Sequence, residues 1–233
     1  VSFLFCLLMQ RYNSLHFTKH KILFLLNMSL ELENGIILPL MEEFYSIQGE
    51  GYYTGNSAYF LRIGGCDVGC HWCDVKESWD AKLHPPTKVS DMILNILNFP
   101  TETIVVTGGE PLMWNMNFLT KSLKEKGLRT HLETSGSYKL SGDWDWICLS
   151  PKKFQKSLSA INPMADELKI IVQNKSDFKW AEDQRTRVSD RCKLYLQPEW
   201  SNKEEMIPII IDYVMQNPKW QISLQTHKYL HIP

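Results

Sequence analysis

Short apolar segments of strand type alternate with helical patterns along most of this 233-residue chain. The strand-like segments are rich in β-branched and aromatic residues, and they cover residues 36–40, 58–63, 103–106, 130–132, 146–149, 167–172, 193–196 and 220–224. Helical patterns lie between several of them, at residues 89–98, 116–126, 177–188 and 203–216. Because strands that alternate with helices form βα units, this order predicts an α/β fold on a parallel sheet.

Nearly every predicted strand ends in a glycine, a hydroxyl side chain or a titratable group. The ends are Gly64-Gly65-Cys66, Thr107-Gly108-Gly109-Glu110-Pro111, Glu133-Thr134-Ser135-Gly136, Ser150-Pro151-Lys152, Gln197-Pro198-Glu199 and Gln225-Thr226-His227-Lys228. In a parallel barrel or sheet the carboxyl ends of the strands meet on one face, where ligands bind. The elements are too few for eight full βα units, so we expect an incomplete, TIM-like parallel β/α barrel.

Composition limits the class of partner. The formal net charge is −1 and the pI is about 6.7, so the chain lacks the basic excess that binding to nucleic acid or an anionic membrane requires. No repeat or linker marks a second domain, and we expect residues 28–233 to form a single one. The Pro85-Pro86 pair is interpreted as a turn before the first long helix.

The first 27 residues contain two apolar runs around a basic middle, and neither run reaches the roughly 18–20 residues that span a bilayer. They also lack the basic start and cleavage site of a secretory signal. We interpret residues 1–27 as a non-native or disordered extension, with Met28 as the functional start. Mass spectrometry of the native N-terminus would test this hypothesis.

Three cysteines, Cys66, Cys70 and Cys73, crowd into one short loop after an apolar strand. One reading is structural zinc with His71 as the fourth ligand. His71 lies between two of the cysteines and no second ligand pair follows at zinc-ribbon spacing, so three thiolates on an iron–sulfur cluster with one open iron are favoured. Such thiols must be reduced, which favours the cytoplasm; the scattered cysteines are interpreted as small buried residues.

The loop Gly108-Gly109-Glu110 follows the next predicted strand. Glycines let a ligand approach the backbone, and a carboxylate beside them can pair with an ammonium group. Alone this is a weak signal, because most such turns are ordinary loops. Its position at a strand end after the cysteine loop strengthens it.

Taken in order, these motifs resemble the radical S-adenosylmethionine superfamily and, within it, the 7-carboxy-7-deazaguanine synthase family. The resemblance runs from about Leu38 to Pro233, and its motifs are highly specific as a set. It rests on the cysteine loop and on Phe44-Tyr45-Ser46-Ile47-Gln48-Gly49-Glu50-Gly51, Phe60-Leu61-Arg62, Cys70-His71-Trp72-Cys73-Asp74, Gly108-Gly109-Glu110-Pro111, Glu133-Thr134-Ser135-Gly136, Ser150-Pro151-Lys152 and Gln225-Thr226-His227-Lys228-Tyr229-Leu230.

The resemblance implies a barrel of the radical S-adenosylmethionine type with a [4Fe-4S] cluster. Reductive cleavage of S-adenosylmethionine gives a 5′-deoxyadenosyl radical, which removes a hydrogen atom from 6-carboxy-5,6,7,8-tetrahydropterin. The ring then contracts with loss of ammonia to a deazapurine used for queuosine-type tRNA modification. The implied partners are this pterin, a flavodoxin- or ferredoxin-like electron donor and a second copy in a homodimer, with no nucleic acid and no membrane.

The resemblance also assigns residues. Cys66, Cys70 and Cys73 would hold the cluster. S-adenosylmethionine would contact Trp72, Cys73, Asp74, Gly109, Glu110, Ser135, Ser150, Pro151, Lys152 and, with weaker support, Gln197. The pterin would contact Ile47, Gln48, Gly49, Arg62, Thr107, His227 and Pro233, with Arg62 binding its carboxylate. His227 is equally well explained as a core histidine, and Arg62 could instead be a surface cation.

One position departs from the family pattern. Where relatives have Cys-Asp-Thr this chain has Cys73-Asp74-Val75, and the threonine hydroxyl is expected to help coordinate Mg²⁺ near the substrate carboxylate. Valine offers no oxygen ligand. Magnesium is therefore doubtful, and we expect weaker magnesium dependence than in relatives that have the hydroxyl.

Two other functions remain open at this point. A radical S-adenosylmethionine activase that acts on a glycine of a partner protein would share the cluster and cofactor loops. It would not need the segment 48–50, Arg62 or the closing motif at 225–228. A non-catalytic iron–sulfur or zinc module is the rival from another class, and release of 5′-deoxyadenosine would discriminate it.

Overall fold

A nine-stranded sheet organises the part of the chain that the computed structural model describes, residues 25–233. The strands are β1 (Ile37–Ile47), β2 (Ser57–Ile63), β3 (Pro86–Lys88), β4 (Thr103–Gly108), β5 (Arg129–Thr134), β6 (Trp146–Leu149), β7 (Glu167–Val172), β8 (Lys193–Pro198) and β9 (Trp220–Ile222). Their spatial order is β3-β1-β2-β4-β5-β6-β7-β8-β9. Strands β2 and β4 to β9 pair in parallel.

Because β3 and β9 lie at opposite edges, the sheet does not close, and the predicted incomplete TIM-like α/β barrel is confirmed. The connections that return the chain to the next parallel strand contain the predicted helices. These are α2 (Val89–Ile96), α3 (Asn117–Lys124), α4 (Ser176–Arg185) and α5 (Lys203–Gln216). A further helix, α1, covers residues 25–33, and α6 is Thr226–Leu230.

Three elements differ from the prediction. Strand β1 continues through the 44–47 segment to Ile47 and pairs antiparallel with β2, so the sheet is mixed rather than wholly parallel. The Pro85-Pro86 pair is not only a turn, because Pro86 opens the short edge strand β3, where a missing N–H is tolerated. The 226–230 segment forms a helix that no apolar periodicity announced.

The main hydrophobic core lies between the sheet and the helices, where side chains such as Leu61, Val106 and Leu132 are fully buried. A small second cluster of Ala58, Phe60 and Val105 lies apart from this core. Side chains alternate faces along a strand, so the strand positions opposite the core face the barrel interior. That face carries polar residues towards the carboxyl ends of the strands.

Among residues 25–233 no helix combines the length and apolarity needed to cross a bilayer. The predicted extension 1–27 lies outside the described residues except for residues 25–27, which are exposed and belong to α1.

Candidate active site

A cavity of about 520 Å³ opens at the carboxyl ends of the strands. This volume lies within the range of cavities that bind small-molecule ligands. It is lined by every residue that the sequence assigned to a ligand except one: Ile47, Gln48, Gly49, Arg62, Cys66, Cys70, Trp72, Cys73, Asp74, Thr107, Gly109, Glu110, Ser135, Ser150, Lys152, Gln197, His227 and Pro233. Pro151 is buried but does not line the cavity.

The three thiols of the cysteine loop lie on one side of this cavity. Cys70 is buried, and Cys66 and Cys73 are partly buried. Burial raises the pKa of Cys70 to about 11, with further increases from the neighbouring Cys73 and Cys66. Binding of iron by these thiols would therefore release protons.

The donor set fits a cubane cluster better than one ion. Within residues 25–233 no group of three or more His, Cys, Asp or Glu side chains is gathered closely enough to hold one metal ion. His71 is directed instead to Gln173, at 3.3 Å between Nε2 atoms. A four-iron cluster places each cysteine on a different iron, so its ligands lie farther apart than those of zinc. A [4Fe-4S] cluster held by these three thiols alone would keep one iron without a protein ligand.

The Gly-Gly-Glu loop forms backbone hydrogen bonds with the residues that lead into the cysteine loop. The backbone N–H of Gly109 donates to Ile63 O at 2.9 Å, and that of Glu110 donates to Gly65 O at 2.8 Å. A Cβ at Gly109 would overlap the Gly65 carbonyl and press on Cys66. Glycine is therefore required for the close approach of the two loops, which fixes the cysteines relative to the rest of the cavity.

Glu110 is 1% exposed and forms a hub on the same side of the cavity. Its Oε1 accepts hydrogen bonds from Thr134 Oγ1 at 2.6 Å and Leu112 N at 3.1 Å. Its Oε2 accepts from the backbone N–H of Ser135 at 2.8 Å and from Ser135 Oγ at 2.5 Å. The predicted cofactor residues Glu110 and Ser135 are thus bonded to each other, an arrangement that the sequence did not indicate.

The remaining predicted cofactor contacts come from three other segments. Lys152 Nζ donates to Ser150 O at 2.6 Å and to Ser150 Oγ at 2.7 Å, and it lies 5.4 Å from the centre of the Trp72 ring. Burial lowers the pKa of Lys152. Gln197 is buried, and its Oε1 accepts from Ser223 Oγ at 2.7 Å.

Arg62 and Gln48 face the cavity from the strands β1 and β2 and the loop between them. Arg62 Nε forms a 2.6 Å ion pair with Glu42, which β1 places opposite it in the register. Gln48 Nε2 donates to Glu133 Oε1 at 3.0 Å, and Thr107 Oγ1 donates to Glu133 Oε2 at 3.1 Å. The predicted pterin residues Gln48 and Thr107 therefore share one carboxylate.

Five charged residues of the cavity were absent from the predicted site: Glu50, Glu133, Lys169, Glu199 and Lys228. Lys169 forms an ion pair with Glu50, and their side chains are 6% and 13% exposed. The signal that could have revealed Lys169 was present, because a lysine interrupts the apolar strand β7 at an inward position. Charged side chains are seldom buried in a strand without a partner.

The C-terminal segment closes another side of the cavity. His227 packs against Gly49, where a Cβ would collide with the imidazole, and Gly49 O accepts from Thr226 N at 2.9 Å. Lys228 Nζ lies 2.7 Å from Asp74 Oδ2, beside Val75. Pro233 lines the cavity, and its carbonyl accepts from Ser46 Oγ at 3.2 Å.

The chain is similar in sequence to one superfamily and to two named proteins. Residues 61–149 match the model of the Radical SAM superfamily. The chain is 60% identical to the 7-carboxy-7-deazaguanine synthase of Flavobacterium psychrophilum over 204 residues, which cover 88% of this chain and 97% of that protein. The protein of the same name from Synechocystis is 47% identical over 83% of this chain and 93% of its own length.

The chain belongs to the 7-carboxy-7-deazaguanine synthase family. The crystal structure of QueE from Escherichia coli is also similar, with a TM-score of 0.72, 26% sequence identity, and coverage of 84% of this chain and 96% of that one. These findings confirm the predicted resemblance and fold. The superfamily implies a [4Fe-4S] cluster and S-adenosylmethionine. The three thiols that line the cavity fit such a cluster.

Proposed function

We propose that this protein converts 6-carboxy-5,6,7,8-tetrahydropterin to 7-carboxy-7-deazaguanine with loss of ammonia; the product is the compound that the name of its relatives gives. The observation that carries the proposal is a single cavity lined by two chemically different groups of residues. One group is the three thiols of the cysteine loop, and the other is an arginine with an array of hydrogen-bonding carboxylates and amides.

The cofactor side is suited to a cluster and a sulfonium nucleotide. When bound, these groups supply the hydrogen-abstracting power of the reaction. Cys66, Cys70 and Cys73 would hold the cluster. Gly109 and Glu110 would receive the amino group of S-adenosylmethionine and Ser135 its ribose, while its adenosine would lie along two further segments. Those segments are Trp72-Cys73-Asp74 and Ser150-Pro151-Lys152, with Gln197 nearby.

The substrate side is suited to a small carboxylated heterocycle. Arg62 would bind the substrate carboxylate, because a guanidinium can pair with both oxygens of a carboxylate. Ile47, Gln48 and Gly49 would frame the ring, with Thr107 beside it. His227 and Pro233 would complete this side of the cavity. These residues bind and orient the substrate so that one carbon faces the cofactor, and their packing excludes water.

We expect the reaction to depend less on magnesium than it does in relatives that have the threonine hydroxyl. Val75 has no ligand oxygen, and Asp74 beside it is engaged by the ammonium group of Lys228 at 2.7 Å. A Mg²⁺ ion prefers several oxygen ligands in octahedral geometry. The residues of this chain therefore do not fit the ion, and we infer that the substrate carboxylate is neutralised by cationic side chains.

We further infer a flavodoxin- or ferredoxin-like electron donor, because a reductive cofactor cleavage consumes an electron that the chain cannot supply itself. We also propose that the protein forms a homodimer and is located in the cytoplasm. Reduced cysteines on the cluster loop are consistent with that compartment.

The decisive experiment is anaerobic turnover of the reconstituted protein with S-adenosylmethionine, a reductant and the carboxytetrahydropterin. Mass spectrometry should detect 7-carboxy-7-deazaguanine and 5′-deoxyadenosine, and ammonia should form in equal amount to the deazapurine. Formation of 5′-deoxyadenosine without any deazapurine would contradict the proposal and favour an activase.

A pair of variants tests the substrate side. Arg62→Lys keeps the charge but loses the planar two-point contact, so it should raise KM for the pterin roughly tenfold while binding S-adenosylmethionine normally. Arg129→Lys is the matched control, because Arg129 is exposed and forms only a 3.6 Å ion pair with Glu102. Equal kinetics for the two variants would refute the assigned role of Arg62.

A further inference from the structure

A chain of polar contacts crosses the substrate side of the cavity and ends on a buried lysine. Lys169 contacts Glu50, and the backbone N–H of Glu50 donates to Gln48 Oε1 at 3.1 Å. The other end of the same amide, Gln48 Nε2, donates to Glu133 at 3.0 Å. The orientation of the Gln48 amide is therefore fixed by its two neighbours, and Lys169 anchors the first of them.

Lys169 is important because it places a buried positive charge among carboxylates. Glu50, Glu133 and Glu167 surround it, and although burial opposes a charged amine, the Glu133 and Glu50 carboxylates raise the pKa of Lys169 well above its ordinary value. In turn, Lys169 outweighs the effect of burial on Glu50, so the pKa of Glu50 is lowered. Without the ammonium group, Glu50, Glu133 and Glu167 would lose the buried cation that lies among them, and carboxylates in that state take up protons or move apart.

The position of this ion pair suggests a role beyond stabilising the fold. Replacing a buried ion pair by apolar side chains is often neutral or stabilising, so such a pair is weak evidence for stability. Here both members line the cavity. The strand β7 also places Ile171 on the same face as Lys169, beside the ligand space.

We propose that Lys169 is a positioning residue that keeps Glu50 ionised and keeps Glu50, Gln48 and Glu133 ordered as the acceptor wall for the N–H groups of the substrate ring. This proposal rests on the proposed function and deepens it. A tetrahydropterin carries an amino group and several ring N–H donors, and ionised carboxylates accept hydrogen bonds from such donors more strongly than neutral acids do. Lys169 acts through the wall and does not itself need to touch the reacting carbon.

The main test is anaerobic calorimetry of pterin binding to Lys169→Met, which keeps the volume of the side chain and removes its charge. We expect the affinity for 6-carboxy-5,6,7,8-tetrahydropterin to fall roughly 10- to 100-fold, the range for lost hydrogen bonds to charged groups. Affinity for S-adenosylmethionine should stay within about twofold, since none of the proposed cofactor contacts belongs to the hydrogen-bonded series from Lys169 to Glu133. In turnover the loss should appear in KM more than in kcat.

The matched control is Lys124→Met. Lys124 also lies between two carboxylates, Asp143 at 3.1 Å and Asp145 at 2.9 Å, but on the outside of the barrel. Its loss should leave both affinities unchanged. A second variant, Lys169→Ala, leaves space for an added ethylammonium ion, which should restore pterin binding if charge is the missing element.

The outcomes separate the hypotheses. Wild-type pterin affinity in Lys169→Met would overturn the role of Lys169. Equal weakening of pterin and cofactor binding, with a lowered melting temperature and no recovery by ethylammonium, would also overturn it and would leave only a structural role. Failure of the wild-type protein itself to bind the pterin would instead overturn the proposed function.

Discussion

Replacement of Glu110 by glutamine tests the hub on the cofactor side. Each oxygen of this carboxylate accepts one backbone N–H and one hydroxyl, at 2.5–3.1 Å. Glutamine has only one such oxygen. In either orientation its NH₂ group faces a backbone N–H that cannot turn, whereas the hydroxyl beside it can rotate to accept.

The cost follows from that geometry. One unpaired buried N–H costs about 1–3 kcal/mol, and loss of the negative charge weakens the remaining bonds, so we expect the free energy of unfolding to fall by about 2–4 kcal/mol. For a chain of this length each kcal/mol lowers the melting temperature by roughly 2–4 °C. The expected decrease is therefore roughly 5–15 °C.

The assay is anaerobic scanning calorimetry of cluster-loaded protein without S-adenosylmethionine, at matched iron content. The control is Glu102→Gln, because the Glu102 side chain is 87% exposed and should change stability by less than about 0.5 kcal/mol. If Glu110→Gln melts together with this control, the four hydrogen bonds do not organise the site as described. A large shift with normal iron loading would support the hub.

Three further predictions concern other parts of the molecule. Gly109→Ala should reduce the iron bound per chain after identical reconstitution, because a Cβ would displace the cysteine loop; wild-type iron content would contradict this. Val75→Thr should make turnover more dependent on Mg²⁺ than in the wild type, and a strict requirement in the wild type would refute the reasoning. Burial, followed by Arg129, lowers the pKa of His131 to about 4 from 6.5. Between these values the unfolded state binds more protons, so stability should fall by about 2–3 kcal/mol as the pH drops through this window. Urea unfolding at pH 7 and pH 4.5 measures this, and His131→Gln with an unchanged difference would be evidence against it.

The sequence was informative about which residues meet because parallel strands share one edge. Strand ends far apart in the chain, such as those at Cys66, Glu110 and Ser135, could be assigned to one cavity from the sequence alone. The same reasoning missed α6 and the antiparallel pairing of β1, since a short amphipathic segment and a mixed sheet leave little periodic signal.

The partners of each side chain could not be predicted in the same way. Nothing in the local pattern indicates that Glu110 bonds to Ser135, or that Gln48 and Thr107 share Glu133, because these contacts join segments from different strands. Lys169 shows what the sequence can indicate and what only the fold decides. Its position in an apolar strand was a signal from which no site residue was predicted, and its pairing with Glu50 depends on how the loop after β1 folds over the barrel.

The sequence by itself determined the chemistry that is present: three clustered thiols, a glycine-rich loop with a carboxylate, and an α/β order of elements. Only the tertiary structure decided how those groups are charged and held. Covalent identity is local, whereas burial, pairing and the resulting pKa of a group depend on neighbours that the fold brings from distant strands.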